Sequence, residues 1–310
     1  MKKMNYILTE KIRIGISACN FGAKFRYNRA GWDRVEALGR QKDDYIFTPV
    51  CPEVLAGLGV PRPPVKLSGG NGDDVWAGTA KIKNRLGRDV TEAVKAASLS
   101  SMEALHRAGV DAFLFMEGSP TCGVYRTTLK DKRLGKPPGV FGALLLKERI
   151  FLIPAVDLES PWKWWDHTRR LHAFIWLKNI AITSKKDIYE AWHVLKFICQ
   201  EIDRPLSDNV GQSLASLPAK MGTLEIESWR TRVLQLLRRP STLKRIQSVM
   251  FKHYAHYRKT FGLKETEAHA PSEFLGKAAF VEELMKLERK AAEQGYLFLG
   301  RPIAYKPARP

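Results

Sequence analysis

Ile12-Arg13-Ile14-Gly15-Ile16-Ser17-Ala18-Cys19 is a β-branched run that ends in a small-residue loop carrying a thiol. Such a run predicts a short, largely buried strand over Ile12–Ser17, with Cys19 just past its C-terminal end. The same kind of run recurs at Tyr45–Val50, Ala112–Met116 and Ile150–Val156. Helical segments are expected between them, at Gly31–Arg40, Thr91–Ala108 and Gly139–Glu148. The second of these is opened by Asp89 or Thr91 and closed by Gly109. Strands separated by helices predict a parallel sheet covered on both faces, so residues 1–160 read as an open, Rossmann-like α/β domain.

Beyond Ser160-Pro161 the pattern changes. Residues 161–310 show helical periodicity almost throughout and carry six of the eight tryptophans. Helices are expected near Trp164–Ile182, Lys186–Glu201, Leu224–Leu237, Ser241–Thr260 and Ser272–Gln294, punctuated by Pro205, Pro218, Pro240 and Pro271. This second domain is all-α, and no internal repeat is present.

The chain has 310 residues, of which 45% are hydrophobic, enough for an ordinary core in each domain. Its net charge of +19 divides into +8 for residues 1–160 (25 basic, 17 acidic) and +11 for the rest (26 basic, 15 acidic), so neither part is a basic tail. A surplus of this size attracts anions: nucleotides, RNA or a membrane surface. No run approaches the roughly 18 apolar residues of a membrane span. Lys2, Lys3 and the Ile16-Ser17-Ala18-Cys19 stretch imitate a secretion signal, but Glu10, Lys11 and Arg13 interrupt what would be its apolar region. Four cysteines lie far apart, at 19, 51, 122 and 199, unlike a disulfide scaffold. A reducing, cytoplasmic setting and a monomer are expected.

Cys19, Cys51 and Cys122 hold equivalent places, each just beyond a predicted strand: Ser17-Ala18-Cys19, Val50-Cys51-Pro52-Glu53, and Ser119-Pro120-Thr121-Cys122-Gly123. Ligand crevices of open parallel sheets form at those strand ends, so three thiols distant in sequence can converge there. The bland alternative is three inert core cysteines. Structural zinc wants four ligands, often from paired C-x-x-C hooks, and no hook is present. A cubane iron–sulfur cluster can be held by three cysteines with one iron open, and a disulfide plus one free thiol is a further arrangement. Glu53 and Ser119 stand beside the thiols, where a carboxylate can act as general base and a hydroxyl can move a proton. A surface ion pair and a helix cap are the plainer readings of those two side chains.

Other candidates flank the same strands. Ser68-Gly69-Gly70-Asn71-Gly72-Asp73-Asp74 can present backbone N–H groups to an anion, or serve as a tight turn. Arg26, Tyr27 and Arg62 are placed to reach into the crevice, and arginine suits a phosphate or a planar base. Of the pairs His167/His172 and His253/His256 only the second shares a helix face, and neither has a supporting carboxylate, so all four read as bundle histidines. Cys199, within an apolar helix, reads as core.

Taken in order, these motifs with Gly57-Leu58, Pro61-Arg62-Pro63-Pro64, Gly87-Arg88-Asp89-Val90-Thr91 and Gly139-Val140-Phe141 form a set over residues 11–160. The sequence resembles the thiouracil desulfidase family. That resemblance implies a 4Fe-4S cluster on Cys19, Cys51 and Cys122, with Glu53 and Ser119 as the acid–base pair. Arg26, Tyr27, Arg62 and Gly70 are expected to contact substrate. The implied reaction is non-redox: the open iron takes the sulfur of a thiolated uracil while Glu53 directs water onto the carbon. Family substrates are 2- or 4-thiouracil and 4-thiouridine monophosphate. Thr121 stands where the family often has Ser, and Met116 where it often has Lys. Residues from 162 onward resemble the helical domain frequently fused to family members, without a motif-level match.

Two further functions fit the residues less closely. A tRNA-directed sulfur-transfer or desulfuration enzyme would use the same cluster, with the basic surface on phosphates. A cluster-bearing sensor would have no use for Glu53.

Overall fold

The computed structural model describes residues 5–128, 137–216, 222–248 and 300–307, with single positions at 218, 282, 285, 286 and 288. The chain forms two compact units that meet in sequence between Ser160 and Pro161. Of the residues expected with the first domain, the described positions 5–10 group with the helical unit instead. Strand pairing is the cause: β1 (Ile7–Leu8) lies parallel to Ala304 and Tyr305.

The unit over Lys11–Ser160 is built on four parallel strands. In chain order its strands and main helices are β2 (Ile12–Ser17), β3 (Tyr45–Val50), α1 (Pro52–Leu55), β4 (Val65–Ser68), α2 (Gly72–Trp76), β5 (Lys81–Asn84), α3 (Thr91–Arg107), β6 (Ala112–Phe115), α4 (Val140–Lys147) and β7 (Phe151–Pro154). The sheet order is β3-β2-β6-β7. From β2 the chain passes to β3 on one side and reaches β6 on the other, so the strand order reverses at β2 and opens a crevice at its C-terminal end. Ile12, Ile14 and Ile16 are buried, and all four β6 residues are completely so. Burial on both faces explains why these strands read as continuous apolar runs. Pro49 is tolerated in β3 because that strand is an edge, where a missing N–H breaks no ladder.

Two local features depart from the sequence reading. Gly31–Arg40 is not one helix: residues 31–34 lie against 19–22, with Trp32 N donating to Cys19 O (2.8 Å) and Arg34 N to Asn20 O (3.1 Å). Those N–H groups are spent across the loop instead of along a helix, and 3₁₀ turns follow over Val35–Asp44, broken at Gly39 (φ 53°). The second departure is the antiparallel ribbon of β4 and β5, which the glycine-rich 68–74 stretch concealed.

The helical unit contains α5 (Pro161–Asn179), α6 (Lys185–Ile202), α7 (Arg204–Ser213), α8 (Thr223–Leu237) and β8 (Ala304–Tyr305). α7 was hidden by Pro205, which sits in its first turn, where no intrahelical N–H is lost. α5 buries Asp166, Arg169 and Arg170 along with its apolar face. Asp166 accepts from Arg169 Nε (3.0 Å) and Arg170 Nε (2.9 Å), and Glu201 of α6 accepts from Arg169 Nη1 (2.8 Å). The helix expected over Ser272–Gln294 and the end of Ser241–Thr260 lie outside the described residues, apart from single positions. Among the described residues no helix is long and apolar enough to cross a membrane.

Candidate active site at the sheet edge

Each cysteine is set by its own local device. β2 ends at Ser17, and a 3₁₀ turn over Ala18–Asn20 carries Cys19. The fully buried Asn20 side chain anchors that turn, accepting from Arg34 Nε (3.1 Å) and donating to Met116 Sδ (3.6 Å). Cys51 is extended (φ −141°) at the start of α1, where Pro52 presets the first turn and Glu53 follows. Cys122 sits in the loop after β6. Ser119 Oγ shapes that loop by accepting from Thr121 N (3.2 Å) and Cys122 N (3.0 Å). Glu117 closes its other side, accepting from Tyr125 N (3.2 Å) and Arg126 N (3.0 Å). Gly139 crosses beneath: a Cβ there would lie 2.6 Å from the carbonyl oxygens of both Pro120 and Thr121.

The three cysteines line one cavity of about 540 Å³ at the C-terminal edge of the sheet. Glu53, Ser119, Arg26, Tyr27, Arg62 and Gly70 line it too, so every site residue named from the sequence meets in one place. The size suits a small organic ligand. Phe25, Lys66, Thr127 and Thr128 also line it and were not singled out. Only the alternation Val65-Lys66-Leu67-Ser68 could have pointed to Lys66, and it requires recognising β4. A second cavity of about 660 Å³ shares Arg62 and Val65 with the first and has no cysteine in its wall.

Arg62 and Glu53 are the best-defined pair. Arg62 Nε and Nη2 both donate to Glu53 Oε2, at 3.1 and 2.5 Å. Arg62 Nη1 is tied to the carbonyls of Phe25 (2.8 Å) and Gly59 (3.1 Å). Its guanidinium is therefore occupied in fixing the carboxylate. Glu53 Oε1 is left facing Ser119, whose hydroxyl donates to it across 3.5 Å. Gly70 is packed against the carboxylate of Asp74, and Asn71 and Asp74 cap α2 reciprocally (3.0 and 2.8 Å). The glycine-rich stretch is thus a capping turn whose Asn71 N–H is already used.

Burial and neighbouring negative charge act on the thiols. Cys19 is pushed up to about 12 by burial and by Cys51, with Arg26 pulling the other way. Cys122 is pushed up by burial and by the charges of Cys51, Glu53 and Cys19. Burial also raises Cys51. Three thiols that feel one another's charge and lie out of water need positive charge to ionise together. Among the described residues no three His, Cys, Asp or Glu side chains are grouped to hold a single metal ion. The three thiols that line this one cavity form a donor set suited to a thiophilic metal group. Cys199 is fully buried in α6. His167 and His172 are buried in α5, burial and Arg301 push His172 well down, and His253 and His256 lie outside the described residues.

Known proteins share this half of the chain. A solved structure of the [4Fe-4S]-dependent thiouracil desulfidase TudS is 26% identical, covering 48% of this chain and 93% of that one, with a TM-score of 0.39. Protein YbbK of Bacillus subtilis (strain 168), uncharacterized, is 34% identical over 150 residues, which are 47% of this chain and 97% of YbbK. The 2-thiouracil desulfurase family matches residues 14–157, a span that runs from β2 past β7 and contains all three cavity cysteines. With its sheet-edge cavity and this likeness, the chain belongs to the 2-thiouracil desulfurase family.

Proposed function

We propose that residues 11–160 take sulfur from a thiolated uracil, as 2- or 4-thiouracil or 4-thiouridine monophosphate, with a 4Fe-4S cluster on Cys19, Cys51 and Cys122. The donor set supports the cluster: three thiols share one cavity, and no fourth cysteine accompanies them in this unit. When bound, a cluster with three protein thiolates supplies a thiophilic iron that makes sulfur a better leaving group. The reaction is a non-redox hydrolysis in which a C–O bond replaces the C–S bond and the two protons of water leave with sulfur as hydrogen sulfide.

The chain's own residues supply the proton handling. Arg62 clamps Oε2 of Glu53, so Oε1 is the atom that takes a proton from the attacking water. Ser119 keeps its oxygen on two backbone N–H groups and holds its hydroxyl proton toward Glu53 Oε1, a path by which a proton reaches the substrate ring. Phe25 and Tyr27 give the cavity flat apolar walls for a pyrimidine. Thiol ligands require a reducing compartment, which favours the cytoplasm.

The observation that carries this reading is the Arg62–Glu53–Ser119 array in the wall of the cavity that the three cysteines share. Reaction in H₂¹⁸O tests it. The uracil formed should carry ¹⁸O at the former thiocarbonyl position, and Glu53→Gln should slow its formation by about 10²-fold or more with iron content unchanged. Uracil without the label, or full turnover by Glu53→Gln, would overturn it.

A further inference from the structure

Resting on the cluster of the proposed function, we infer that Ser17 is a positioning residue for it: the Ser17 hydroxyl holds Cys122 in place as a ligand and draws charge off its thiolate. Ser17 is the last residue of β2, is buried, and lines the same cavity as the three cysteines. The ladder between β2 and β6 ends one residue earlier, at Ile16 and Leu114. Beyond that point the Ser17 side chain takes over from the backbone, its Oγ accepting from Met116 N (3.1 Å). A hydroxyl that accepts there still has its proton to give, and that proton goes to the Cys122 thiol. Met116 is fixed in turn by Asn20, whose Nδ2 donates to its Sδ (3.6 Å) while Arg34 Nε donates to Asn20 Oδ1 (3.1 Å). Ser17 is therefore held against Cys122 by a continuous line of contacts that starts at Arg34.

The three thiols differ in what serves them. Cys51 receives the backbone N–H groups of Val54 and Glu53, and Cys19 its own N–H. Both are half-buried. Cys122 is buried, and the Ser17 hydroxyl relieves the burden that burial and the charges of Cys51, Glu53 and Cys19 place on its ionised form. A thiolate out of water is costly without a donor. Hydrogen bonds to cysteine sulfur also help set the reduction potential of an iron–sulfur cluster, and partners behind the ligands tune how strongly the metal attracts electrons. In a non-redox desulfuration that attraction is the useful property, because the metal has to draw sulfur from the substrate. A serine that merely completes the strand ladder predicts something else: its loss weakens folding and leaves the potential where it was.

The test reads the cluster apart from turnover, in full reconstituted chains of Ser17→Ala and Ser17→Thr, by iron per chain, midpoint potential and urea midpoint. Ser17→Ala should bind as much iron as the unmodified chain and show a more negative midpoint potential, because the charge left on Cys122 disfavours an added electron. Ser17→Thr keeps the hydroxyl and should bring the potential back toward the unmodified value. A loaded alanine variant with an unmoved potential, or a threonine variant that stays with the alanine one, makes Ser17 purely structural and overturns the inference. A folded alanine variant that takes up no iron overturns it too, since the hydroxyl is then needed for assembly. Reconstituting the unmodified chain in D₂O should shift its iron–cysteine stretching bands in the Raman spectrum, and bands that do not move contradict the inference whether or not the variants fold. Sulfide release from a thiolated uracil with a potential indifferent to Ser17 defeats this inference alone. A Ser17-dependent potential with no sulfide from any thiolated uracil upholds it and defeats the desulfidase reading.

Discussion

Arg62 holds one oxygen of Glu53 with two donors and leaves the other turned to Ser119. Both side chains are largely out of water, at 4% and 13% exposure, so the pair cannot be exchanged for hydration. Arg62→Ala strands a buried carboxylate and should lower stability by about 3–5 kcal/mol, read as a fall in the urea midpoint. Arg62→Lys keeps the charge and loses the fork geometry. The lysine variant should stay folded and lose kcat more than it raises KM.

Glu53→Gln removes the base and keeps the shape. Turnover should fall by about 10²–10⁴-fold, the usual contribution of a positioned general base. Iron and acid-labile sulfide per chain should match the unmodified protein, since the three thiols are untouched.

The Cys122 loop depends on close backbone approach at Gly139. A Cβ 2.6 Å from two carbonyl oxygens forces the loop and the start of α4 apart. Gly139→Ala should cost about 1–3 kcal/mol, as overpacking does. It should also lower iron binding, whereas Cys199→Ala, in the helical unit, should leave iron binding unchanged.

Acid should open the helical unit through Asp166. Burial pushes this carboxyl up, but Arg170 and Arg169 outweigh burial and hold it at about 2. In the unfolded chain it titrates at about 3.9. Below that value the unfolded chain gains a proton that the folded one refuses, so this stabilisation is present above about pH 4 and lost as pH falls toward 2. Urea unfolding across a pH series should show the loss. Asp166→Asn should remove that component and lower neutral-pH stability by about 3–5 kcal/mol, because buried arginine charge is left underpaired.

Much of the sheet was legible because strands buried on both faces write themselves as unbroken apolar runs. Ile12–Ser17 and Tyr45–Val50 match their strands residue for residue. The β4–β5 ribbon was not legible: Lys66, Lys81 and Lys83 interrupt its apolar pattern on the solvent side. The convergence of Cys19, Cys51 and Cys122 followed from topology, since equivalent loops of parallel strands must share an edge. The employment of Arg62 did not follow. An arginine near a crevice reads as a ligand for substrate, and only the fold brings its guanidinium onto Glu53.

The most direct measurement is anaerobic reconstitution with iron and sulfide, followed by 4-thiouracil and 4-thiouridine monophosphate, with thiocarbonyl absorbance and released sulfide followed together. The account predicts about four irons per chain, one sulfide released per thiocarbonyl lost, and loss of both in chains lacking Cys19, Cys51 or Cys122. A fully loaded chain that releases no sulfide from either substrate, or full turnover without iron, would contradict it.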